Sequence, residues 1–184
     1  MSGTATGTRR DPLLGYNFQV SLLDSRSALG GALAAVTISA VSLTPVAGFS
    51  ECSGLEGTLE TQDHQEGGRN GAVLRFPTRV KWSNLTLRRG MGRGLDLWTW
   101  FDGFVNGTGT RRDGVITLQD ESHVPRIVWG FRRGLPVKYS GPTLNAAQSA
   151  VAVETLEIAH EGLFLIPGAA PLAQAARAAL DLLR

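Results

Sequence analysis

The sequence predicts a mainly β fold: an antiparallel β-barrel or sandwich with one packed α-helix, plus a C-terminal helical extension. Three observations lead there. Much of the chain alternates apolar and polar residues with period two, as half-buried strands do. One internal stretch, Leu95–Val105, switches to a helical period. Glycine clusters and Asn-Gly and Asp-Gly steps punctuate the rest.

In chain order, Tyr16, Phe18, Val20 and Leu22 share one face of a first strand. Val36–Leu43 is a second strand candidate and Val46–Ser50 a short third. Gly54–Gly68 (GLEGTLETQDHQEGG) reads as a fourth, with one wholly polar, mostly acidic face: Glu56, Thr58, Glu60, Gln62, His64 and Glu66. So long a polar face raises the question of what it looks at. Arg69–Pro77 carries the Asn70-Gly71 turn signal, and Val80–Arg89 reads as one strand. In the helix, Leu97, Trp98, Phe101, Phe104 and Val105 recur at helical spacing, with Asp96, Thr99, Asp102 and Asn106 opposite. Trp98 and Trp100 cannot both face one core, which leaves one aromatic for a partner. Val115–Asp120 and Arg126–Phe131 form a hairpin, Arg132–Tyr139 continues to a Gly-Pro loop, and Ala150–Ala159 is the last strand of the body. Beyond Pro167, Leu172–Arg184 is Ala/Leu-rich and helical, too short to be stable undocked.

The totals narrow the function classes. With 184 residues the chain suits one domain: 1–10 as an N-terminal tail, 11–166 as the β domain with 25–44 as an insertion, and 167–184 as linker and helix. Hydrophobic residues make up 42%, enough for a core, and 18 basic against 16 acidic residues leave a formal charge of +2. Near-balance gives no reason to expect a specific nucleic acid. The single cysteine, Cys52, excludes an internal disulfide and reads as a small strand residue rather than a nucleophile. Ala28–Gly48 is free of charge, but its glycines, proline and β-branched residues read as strand and loop, not a membrane span.

Catalytic constellations are absent from the pattern. His64, His123 and His160 have no zinc-motif spacing, no Ser/His/Asp set can be assembled, and Gly90-x-Gly92-x-Gly94 lacks the phosphate-loop lysine. Glu51, Glu56, Glu60 and Glu66 read as a solvated face sooner than as a glycosidase pair. The residues alone therefore point to a non-enzymatic β protein, without cofactor or metal, whose polar faces belong to an assembly.

Five segments in fixed order then carry a resemblance: VAGFSECSGLEGTLETQDHQEGG, LTLRRGMGRGLDLWTWF, RRDGVITLQDE, VWGFRRGLPVKYSGPTLNA and VAVETLEIAHEGL. From about Asp11 to Phe164 the chain resembles the tail-tube proteins of contractile phages and contractile injection systems. The resemblance implies a small antiparallel barrel with one helix. It also implies six copies joined in a ring, with rings stacked into an inner tube. Its partners would be further copies of itself, a sheath protein, baseplate or tube-initiator proteins, and cargo in the lumen. Lumen-facing candidates are Glu56, Thr58, Glu60, Gln62 and His64, as channel-facing strand residues in a large barrel. Sheath-facing candidates are Asp96, Thr99 and Asp102. Candidates for subunit and ring contacts are Gly67, Gly68, Arg69, Arg88, Arg89, Arg132, Arg133, Ser140, Gly141, Pro142 and Asn145. The particle would assemble in the bacterial cytoplasm and leave by lysis. A tube-initiating ring at the baseplate, a monomeric ligand-binding β-barrel, and a metal hydrolase using one of the three histidines are the alternatives.

Overall fold

The computed structural model describes residues 12–24, 48–65, 71, 73–92 and 94–166. The expected strand Val36–Leu43, the insertion 25–44, the N-terminal tail, Glu66, Gly67, Gly68, Arg69 and the C-terminal helix lie outside the described residues.

Among the described residues, nine strands and one helix follow in order: β1 Phe18–Asp24, β2 Glu51–Ser53, β3 Gly57–His64, β4 Leu74–Trp82, β5 Leu85–Gly90, α1 Asp96–Val105, β6 Arg112–Gln119, β7 Pro125–Ser140, β8 Val153–Ala159 and β9 Gly162–Leu165. Seven of the strands form one antiparallel system, in the order β1-β6-β7-β8-β5-β2, with β9 also on β7. The 16-residue β7 joins its two halves. Its first part pairs with β6 and β9, and its second part, from Leu135, pairs with β8. The bend falls at Arg133, which has φ 51°. Its amide donates to Asp113 Oδ1 at 2.7 Å instead of to the ladder, and its guanidinium reaches Glu161 at 3.0 Å.

The core lies between the halves: Val20, Leu85, Leu87, Ile116, Phe131, Leu156 and Ile158, with Leu97 and Trp100 from α1. Each strand supplies alternate residues, as its period dictates. Gly114 makes room for the Phe131 ring, since a Cβ there would stand 2.2 Å from Cε1. Of the two tryptophans, Trp100 is the core residue; its indole N–H donates to the Thr110 carbonyl at 2.9 Å. The helical-period reading had put Trp98 and Val105 in that face, but both are exposed. The spacing 97, 100/101, 104 is the one that packs.

Several boundaries differ from the sequence reading. The expected strand Val80–Arg89 is two strands broken at Ser83–Asn84. Gly54 explains the break: it has φ 89°, and a Cβ there would sit 2.0 Å from the Asn84 carbonyl oxygen, so only glycine allows the two loops to cross. Gly54–Gly68 is strand only over Gly57–His64, and Gly48, Phe49 and Ser50 precede β2 without strand pairing. The span taken for a turn up to Pro77 is strand from Leu74. Pro77 is tolerated because it stands beside a bulge, where the β3–β4 register shifts between Leu59 and Thr61.

Candidate functional site

β3 and β4 form a two-stranded sheet of their own, apart from the other seven strands. Nearly every residue in it is exposed. The pairing sorts its two faces. Thr58 stands opposite Lys81, Gln62 opposite Phe76 and His64 opposite Leu74. On this face Glu60 is clasped by Arg79 and Lys81 together. Hydrogen bonds from Lys81, then Arg79, hold its carboxyl below the usual glutamate range. His64 meets Phe76 edge-on at 6.2 Å.

The other face pairs Gly57 with Trp82, Leu59 with Val80, Thr61 with Pro77 and Asp63 with Arg75. Leu59, Val80 and Trp82 make an exposed apolar stripe. An Arg75–Asp63 ion pair of 3.1 Å closes its outer end. At the base, Trp82 leans toward His160, ring centroids 6.2 Å apart, and His160 Nε2 lies 3.0 Å from the Ser83 carbonyl oxygen. Phe131 of the core flanks the same imidazole at 6.0 Å. Burial holds the His160 pKa below its ordinary value, against the pull of the Ser83 and Gly162 carbonyls.

The lumen candidates Thr58, Glu60, Gln62 and His64 therefore share one face. Glu56 precedes the strand, in a turn where its amide donates to the Gly54 carbonyl at 2.8 Å. The expectation of a mostly acidic face needs correcting, because β4 supplies Arg79 and Lys81 to it. Arg79 fell between the turn reading of 69–77 and the strand expected from Val80, and Lys81, inside that expected strand, was not set beside β3. The signal for them was the near-equal length of two polar-alternating stretches flanking Asn70-Gly71.

The helix presents a second surface. Thr99 and Asp102 lie on its outer side, and Asn106 Nδ2 donates to Asp102 Oδ2 at 2.8 Å. Trp98 joins them, 43% exposed and edge-on to Tyr139 at 5.1 Å. Asp96, its side chain 38% exposed, is instead tied to the sheet. Both its oxygens accept from Arg89, at 2.6 and 3.1 Å.

Arg89 was expected at an interface and is 5% exposed. Its Nε donates to Glu154 at 2.6 Å, and Glu154 also accepts from the Tyr139 hydroxyl at 2.9 Å. Burial pulls the Arg89 pKa down, but Asp96 and Glu154 outweigh it and the pKa rises. Tyr139 is raised by burial and by Glu154. Glu154, 1% exposed, is a buried charge that the sequence reading did not single out.

The remaining arginines have partners within the chain: Arg88 with Glu51 at 2.9 Å, Arg133 with Glu161, and Arg132 over the Phe164 ring at 4.9 Å. Ser140 ends β7, and Gly141, Pro142 and Asn145 follow in a loop whose Leu144 is 85% exposed. Cys52 is half-buried, its thiol pushed up to about 11 by burial, which makes it a poor nucleophile. Among the described residues, no group of three or more His, Cys, Asp or Glu could hold a metal ion. Among them too, no helix is long and apolar enough to cross a membrane.

The profile of the family described as T4-like virus tail tube protein gp19 matches residues 15–164. No curated protein matches the chain. Among solved structures, a chain of the six-fold symmetrised baseplate of the anti-feeding prophage is 26% identical, with TM-score 0.70, over 86% of this chain and 97% of that one. A chain of the anti-feeding prophage tube-terminating cap is 20% identical, with TM-score 0.69, over 90% and 99%. A chain of the sheath–tube complex of PVC, an extracellular contractile injection system, is 19% identical, with TM-score 0.66, over 84% and 91%. The last two show a shared fold.

Proposed function

The chain belongs to the T4-like virus tail tube protein family, and from that premise we propose that it is a structural subunit of the inner tube of a contractile injection system or phage tail. Six copies close a ring, rings stack, and the β3–β4 hairpins line a polar lumen that conducts cargo. The observation that carries this reading is the hairpin itself. A lone two-stranded hairpin is marginal in water, yet this one carries an apolar stripe that its own body leaves exposed. A neighbouring copy covering Leu59, Val80 and Trp82 supplies the missing packing, and turns Thr58, Glu60, Gln62 and His64 toward the channel. Joining edges between copies also removes templates for aggregation.

The helix surface around Thr99, Asp102 and Trp98 then faces outward, toward a sheath. Asp96 and Arg89 support that surface from within. The loop Ser140–Asn145 and the segment carrying Gly67, Gly68 and Arg69 make contacts between subunits or rings. The part is structural and performs no catalysis. The particle assembles in the bacterial cytoplasm and is released by lysis. The tube-initiating ring is the second reading, favoured by one observation: the 26%-identical structure is a baseplate.

Negative-stain microscopy with mass photometry tests both. Hollow filaments are expected of a bulk subunit and single six-membered rings of an initiator. Leu59→Asp with Val80→Asp abolishes either while leaving the thermal midpoint of the body unchanged. A chain that stays monomeric alone and with sheath and baseplate proteins added would overturn the proposal.

A further inference from the structure

The polar face of the hairpin has a sign that the sequence of β3 conceals. Within β3 and β4 that face carries two cations, Arg79 and Lys81, and one carboxylate, Glu60, while Glu56 stands exposed just before β3. Exposure widens the imbalance. The Arg79 and Lys81 side chains are 71% and 62% exposed, whereas Glu60 is 29% exposed beneath them. Water, or anything passing, meets the cations first. The other hairpin pair, Arg75–Asp63, is on the opposite face and cancels itself.

We infer that this face recognises acidic polypeptide, whose carboxylates exchange with that of Glu60 on Arg79 and Lys81. This rests on the tube reading for where the contact happens. The exchange is like for like: a cargo carboxylate replaces a carboxylate in the same clasp, so each contact is weak and reversible. That is what passage along a lined channel needs. Phosphate chains fit less well. Single-strand binding surfaces add a row of open aromatic faces to their cations, while among the described residues of this face Phe76, half exposed with His64 edge-on to it, makes no such row. Glu60 also interrupts any continuous line of phosphates.

Fluorescence anisotropy with labelled poly-L-glutamate is the test, on the intact chain at low salt. Binding is expected, and it disappears between about 50 and 300 mM salt as screening shortens the reach of the charges. Arg79→Gln with Lys81→Gln weakens it by about tenfold or more, and Arg79→Lys with Lys81→Arg restores it. Glu60→Gln tightens it by about threefold, because it frees both cations, and does so more than Asp63→Asn, the same change of charge on the opposite face. Arg132→Gln, on another strand, changes nothing. Equal binding by wild type and the Gln double variant, weaker binding by Glu60→Gln, or displacement by oligodeoxythymidylate at matched charge would each overturn the inference. Microscopy of the same samples separates the two readings. Loss of rings with the glutamate dependence intact counts against the tube alone, and intact rings without that dependence count against this inference alone.

Discussion

Arg89 and Glu154 are the residues on which burial and charge meet most sharply. Leu85, Leu87 and Arg89 share one face of β5, and Glu154, Leu156 and Ile158 share one face of β8. The ladder sets Arg89 directly opposite Glu154. Two inward charges on adjacent strands can stay ionised only as a hydrogen-bonded pair. Asp96 and the Tyr139 hydroxyl complete the set, so the network also fastens the first turn of α1 to the sheet. Removing one partner leaves the others uncompensated. Arg89→Met should lower the unfolding free energy by about 3–5 kcal/mol in chemical denaturation; a loss below about 1 kcal/mol would mean that water already reaches Glu154. This pair was legible in principle. Period two puts Arg89 inward once Leu85 and Leu87 are inward, but an arginine doublet reads as surface, and that habit hid it.

At the scale of elements, the sequence was clearest where one period ran uninterrupted. The β6–β7 hairpin, α1 and β8 stand within three residues of where alternation or helical spacing put them. It was least clear where a turn signal and a proline fell inside one stretch. Asn70-Gly71 and Pro77 together suggested loop, and β4 was reduced to residues 80–82, joined to β5 as one strand; only the bulge beside Pro77 reconciles that residue with a strand. Half of the candidate lumen face went unplaced as a result, including the cations that decide its sign. The hinge of that hairpin was invisible for a different reason. It is made by His160, about eighty residues away in sequence from the Ser83 carbonyl it touches, and no local pattern encodes such a contact. The hinge carries a pH signature. Burial lowers the folded pKa of His160 below its unfolded value of 6.5. The unfolded chain therefore takes up the proton first, and the stabilisation is full above 6.5 and lost as pH falls through the lowered folded value. Hydrogen exchange at Trp82–Asn84 should speed up between about pH 7 and pH 5 beyond its intrinsic trend, and His160→Gln should remove that excess. An unchanged profile in the variant would assign the effect to another group.

For the whole molecule, the division between body and hairpin implies a division of stability. The body has a main core shared by β1, β5–β8 and α1, and the buried charge network lies against it. The hairpin has cross-strand pairs and a joint at His160 and Trp82. Covering Leu59, Val80 and Trp82, each roughly half exposed, contributes about 2–4 kcal/mol per copy. That is comparable to what a free hairpin lacks. Order in β3–β4 should then follow assembly, whereas order in β5–β8 should not. Hydrogen exchange on the free chain should show rapid exchange through Gly57–His64 and Leu74–Trp82 and slow exchange through Leu85–Gly90 and Val153–Ala159. In assembled particles the first two segments should slow by about 30-fold or more, the equivalent of about 2 kcal/mol, with the last two unchanged. Slow exchange throughout in the free chain would mean that the hairpin is self-sufficient, and its apolar stripe would then have to be explained without a neighbour. Slowing confined to α1 would place the main contact at the helix, making the outward surface around Trp98 the organising interface.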